Sequence, residues 1–106
     1  MIDMCVIFLA QKEGVLRIWG ELTRCLSEES CKVSLYYYAE DKKEVLKRDA
    51  LERLDDLHFE IIADVHAINL QGDPKDTRIV MGVSDPLQQE ALLWFEELGV
   101  RDCVFL

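Results

Sequence analysis

Few residues of this chain have side chains suited to chemistry, and they fall in two groups. His58, Glu60, Asp64 and His66 alternate along one stretch, so an extended strand places them on one face. Imidazole beside carboxylate suits divalent-metal binding or proton transfer near neutral pH. His58 and His66 are roughly 26 Å apart along an extended strand, too far to share one ion unless the strand bends. Asp64 and His66 could share one, but two ligands make no metal site, so the stretch reads as a solvated strand end. The second group is Lys12, Ser84 and Asp85, which with Gln11 and Glu40 follow strand-like runs. Ligands of open α/β sheets gather at the carboxyl ends of the strands. Lys12, Asp64, His66, Ser84 and Asp85 therefore make up the candidate ligand rim. A helix starting at Asp85 has free N–H groups that attract anions. The acidic cap competes for those donors and repels phosphate, which favours plain helix capping there.

The rest of the inventory is sparse. Cys5 and Cys103 lie in apolar runs and read as core residues. Cys25 and Cys31 flank a charged turn at a spacing that matches no zinc or redox motif. Tyr36, Tyr37 and Tyr38 could stack on bases, but an aromatic strand accounts for the same residues. No G-x-G-x-x-G, P-loop, G-x-S-x-G, C-x-x-C or H-E-x-x-H occurs. No catalytic residue, metal or cofactor is assigned.

Short apolar runs that alternate with amphipathic ones must position these groups, the pattern of an α/β domain. Residues 4–10 (MCVIFLA) read as a strand buried on both faces. Residues 14–28 carry Val15, Ile18, Trp19, Leu22 and Leu26 at helical spacing. Residues 32–39 form the second strand. Asp41 and Glu44 make a capping box for a second, outer helix that runs to about Leu57. Residues 58–68 hold a third strand wetted on one face, or one that ends near Ala63. Residues 71–77 are a loop and 78–83 the fourth strand. The last helix has Asp85 as cap, Pro86 at its first position, Gln88 completing a capping box and Gly99 as its left-handed stop. Residues 102–106 form the fifth strand. If the third strand stops near Ala63, a helix-free crossover makes it parallel to the fourth; if it runs on to Leu70, a hairpin results. The parallel reading is preferred.

The 106 residues form one domain, with half of them apolar, which excludes a disordered tail. Twelve basic against 21 acidic residues give a formal charge of −9, unfavourable for nucleic acid or anionic membrane. No apolar run approaches a membrane span. The first residues, Met1-Ile2-Asp3-Met4, lack the basic start of a secretion signal, so a cytoplasmic location is expected.

Thr77 to Leu106 (TRIVMGVSDPLQQEALLWFEELGVRDCVFL) resembles the end of a response-regulator receiver domain, with Gly99-Val100-Arg101-Asp102-Cys103 leading into the fifth strand. Asp64, after Glu60-Ile61-Ile62-Ala63, stands where the phospho-accepting aspartate of receivers lies. The other receiver chemistry is missing. Ala10-Gln11-Lys12 replaces the acidic pair, Val83 or Ser84 stands at the hydroxyl position, and Leu106 falls where the lysine would be. The resemblance implies a degenerate, non-phosphorylated pseudo-receiver. The expected fold is a three-layer, flavodoxin-like α/β sheet in the order 2-1-3-4-5. A missing third helix should leave one sheet face partly uncovered near β3 and β4, open to a protein partner or a second copy of the chain. The expected function is a non-catalytic regulatory module acting by contact. The alternative is a small-ligand sensor or enzyme, for a nucleotide or a metal, working at the rim.

Overall fold

In a computed structural model that describes residues 4–106, the chain forms one parallel five-stranded sheet with elements on both faces. The secretion-signal reading rests mainly on residues 1–3, which lie outside the described residues. Among the described residues no helix is long and apolar enough to cross a membrane.

Strand β1 (Met4–Gln11) leads to helix α1 (Gly14–Leu26) and strand β2 (Cys31–Tyr38). A short helix α2 (Arg48–Glu52) precedes β3 (Leu57–Ile62). Strand β4 (Thr77–Gly82), helix α3 (Asp85–Glu97) and strand β5 (Asp102–Phe105) complete the α/β arrangement of the flavodoxin-like class. Alternate residues of β1 serve the two cores. Val6, Phe8 and Ala10 pack with Val15, Ile18 and Leu22 of α1, whereas Ile7 and Leu9 pack with Leu87, Ala91 and Phe95 of α3.

The strand order corrects the expectation. It is β3-β2-β1-β4-β5, not 2-1-3-4-5. Strand burial explains why. β1, β2 and β4 are almost wholly buried, so each needs a neighbour on both sides. β3 alternates half-buried residues with exposed His58 and Glu60, and β5 is exposed at both ends, so these two take the edges. The chain therefore leaves β3 and crosses back to the free side of β1.

Three smaller expectations also change. Where a partly uncovered sheet face was expected near β3 and β4, the crossover lays Val65 and Ile68, both fully buried, beside Phe95 and Met81. The long second helix is replaced by a 3-10 turn at Lys42–Glu44 and the five-residue α2, because Val45 is extended and Lys47 is left-handed (φ 60°) between them. The Asp41 carboxylate caps only the short turn, accepting from the Lys43 N–H. In α3 the cap position belongs to Ser84, and no side chain caps it, so the Asp85–Gln88 capping box does not form. Gly99 takes the left-handed conformation expected of it (φ 88°).

One backbone contact joins β4 to α1. A Cβ on Gly14 would lie 1.7 Å from the Gly82 carbonyl oxygen, and a Cβ on Gly82 would lie 2.5 Å from the Gly14 oxygen. Only glycine at both positions lets the start of α1 settle on the end of β4. Gly20, in the same helix, has open space around its missing Cβ. Gly14→Ala should therefore destabilise the fold by about 3 kcal/mol. Gly20→Ala should instead stabilise it by about 0.5–1 kcal/mol by improving helix propensity. Urea unfolding of the two variants checks the opposite signs.

Candidate functional site

The strand order places a switch point between β1 and β4. From there the chain winds outward in both directions, and the loops after these two strands part to leave a crevice. This cleft of about 630 Å³ is lined by Gln11, Lys12, Gly14, Arg17, Ser84 and Asp85, among others. Three of the five sequence-predicted rim residues, Lys12, Ser84 and Asp85, therefore meet in one place. Asp64 and His66 are not among its lining residues, because β3 lies at the sheet edge, two strands away from β1.

The β1–α1 loop is held in an unusual conformation. Lys12 has a left-handed backbone (φ 50°), which costs a non-glycine residue about 1–2 kcal/mol. The fully buried Tyr37 offsets that strain. Its hydroxyl donates to the Lys12 carbonyl at 2.7 Å and accepts from the Leu46 N–H at 3.1 Å. Burial also pushes the Tyr37 phenol above its ordinary pKa, so it stays a hydrogen-bond donor at any physiological pH. Across the cleft the Gln11 side-chain oxygen accepts a hydrogen bond from the Ser84 N–H at 3.1 Å, tying the two loops together.

The cleft lining carries charges of both signs. Helix α1 begins here with Glu13 at its N-cap position, its side chain capping no N–H, and the Val15 and Leu16 N–H groups donate to the Lys12 and Glu13 carbonyls. Its amino end presents a partial positive charge, reinforced by Lys12 and Arg17. Glu13 and Asp85 lie on the walls, and neither of the chain's histidines lines the cleft. An adjoining hollow of about 170 Å³ shares Gln11 and Lys12 and adds Tyr38, Glu40 and Glu44 from the β2 side.

Asp64 and His66 form a separate pair. Asp64 caps the 3-10 turn at Val65–Ala67, and its Oδ1 lies 2.9 Å from the His66 N–H and 2.8 Å from the His66 Nδ1. These donors hold the Asp64 carboxyl below the ordinary aspartate pKa. The four cysteines are free, and burial raises the pKa of Cys25, Cys31 and Cys103, which disfavours the reactive thiolate.

Sequence reasoning passed over Gly14, Arg17, the anchoring role of Tyr37, and Glu90. Gly14 and Arg17 carried a readable signal, a glycine and a cation just past the first buried strand. Tyr37 carried none, because its role depends on the contact between the β2 and β1 ends. Glu90 is one of several charged residues on α3, and nothing local distinguishes it.

No family model matches this chain, and no curated protein does. Among solved structures, the fold is similar to that of a flavohemoglobin from Malassezia yamatoensis determined with bound FAD and heme. The TM-score is 0.74 and the identity 13%, over 98% of this chain and 31% of the flavohemoglobin. The chain thus spans less than a third of that protein, and at this identity the likeness is one of fold.

Proposed function

We propose that the chain is a non-catalytic binding module that holds a nucleotide in the cleft between the β1–α1 and β4–α3 loops. The observation that carries this reading is the meeting of Lys12 and Arg17 with the amino end of α1 at the switch point of the sheet. Two cations beside the positive end of a helix dipole suit a phosphate or diphosphate. The adjoining hollow holds Glu40 and Glu44, carboxylates that accept hydrogen bonds from sugar hydroxyls. Phosphate next to sugar is the chemistry of a nucleotide. The flavohemoglobin of similar fold was determined with FAD, a nucleotide-bearing cofactor, and the analogy is one of fold only. The cleft offers no nucleophile paired with a base, which is why the reading is binding rather than turnover.

Titration with ADP tests the reading. Calorimetry should give one site, and the amide shifts should cluster at residues 11–17 and 83–86. Arg17→Ala and Lys12→Gln should each weaken binding by about tenfold, the loss of about 1.4 kcal/mol, with the fold intact. Affinity unchanged in both variants, or no binding at millimolar ADP, would overturn it.

A second reading, contact with a protein partner or another copy of the chain, rests on the β5 edge. Phe105 and Leu106 are nearly half exposed, at the end of a strand paired on one side only. Sedimentation should then show self-association or a stable complex. A strictly monomeric chain at high concentration, with this edge freely exchanging its amide hydrogens, removes that reading.

A further inference from the structure

Away from the cleft, one group of side chains has the composition of a metal-ligand set. Asp64 and His66, on the turn after β3, meet Glu90 of α3, and one ligand atom from each lies within 4.8 Å of the other two. We propose that Asp64, His66 and Glu90 bind a single divalent transition-metal ion of the zinc class.

The two backbones that carry these groups are pinned to each other by contacts outside the group. Val65 and Ile68, on either side of His66, are fully buried in the same core cluster as Ala91 and Phe95 of α3. Trp94, one turn beyond Glu90, meets the His66 ring edge-on, with centroids 4.9 Å apart and planes at 64°. Its indole N–H donates to the Ile68 carbonyl at 3.0 Å. The imidazole is thus held from two directions, by Trp94 and by Asp64.

The donor set selects the class of ion. One imidazole nitrogen with two carboxylates suits zinc, nickel or cobalt better than magnesium or calcium, which favour all-oxygen shells. His66 Nδ1 already faces Asp64 Oδ1 at 2.8 Å, close to the separation of two donors on one ion, so a metal would take the place of the proton shared between them. Among the described residues no Lys or Arg pairs with Asp64 or Glu90, so the two carboxylates have no other cationic partner. Donors around one such ion sit on the order of 3.3 Å apart, so the exposed Glu90 side chain must swing inward by about an ångström. Exposure leaves the remaining coordination positions to water. The site shares no residue with the nucleotide cleft, and the proposal does not depend on that reading.

The test uses the metal alone, with no nucleotide. Zinc and then cobalt are titrated into the chelator-stripped chain, followed by calorimetry and by the ¹⁵N shifts of the imidazoles. One equivalent should saturate the protein and move the His66 ring nitrogens while leaving those of His58 in place. His66→Ala and Glu90→Gln should each weaken binding at least tenfold; in chelator Glu90→Gln should keep the parent's unfolding temperature, and His66→Ala should still unfold cooperatively. Equal affinity in both variants, binding abolished instead by Cys31→Ser, several weak equivalents spread over the acidic surface, or no binding at millimolar zinc would each overturn the proposal.

Discussion

The contact between Gly14 and Gly82 is the constraint on which the rest of the structure depends. It brings backbone against backbone where any side chain would stand in the way. This seats the start of α1 on the end of β4 and fixes the spacing of the two loops that form the cleft. Gln11 spans the same gap from the other side, and Tyr37 holds Lys12 in its left-handed turn from beneath. The cleft is therefore built from rigid backbone. Its charge comes from side chains of both signs, Lys12 and Arg17 against Glu13 and Asp85.

The layering of the fold was legible in the sequence because burial leaves a pattern. The continuous apolar run in β1 marks a strand buried on both faces, and the polar alternation in β3 marks one wetted on one face. The period of Val15, Ile18 and Leu22 locates the buried side of α1, and Gly99 its counterpart at the end of α3. The strand order was not legible in the same way. Element sequence and crossover length are equally compatible with 2-1-3-4-5 and 3-2-1-4-5. What decides between them is that the doubly buried β4 requires a central place and that residues 65–68 can roof the sheet without a helix. The failed second helix has a local cause. A capping box starts a helix only if the following residues continue it, and Val45 and Lys47 do not.

Of the candidate site, the rim position was legible and the grouping was not. Lys12, Ser84 and Asp85 were placed together by the general rule that ligands sit at strand carboxyl ends. Asp64 and His66 satisfied the same rule but belong to an edge strand, so the corrected order separates them from the cleft. It gives them a different neighbour, Glu90, from an element that only the crossover brings near. In the pseudo-receiver resemblance, which rested mainly on Thr77–Leu106, Asp64 was the one matching chemical residue; it follows the edge strand β3 and caps a short turn.

The most direct measurement is a crystal structure of the chain grown with saturating ADP. The account predicts the diphosphate against the amino end of α1, within hydrogen-bonding reach of Lys12 and Arg17, and the ribose toward Glu40. A nucleotide seated elsewhere, or a cleft without ligand at saturation, would contradict it.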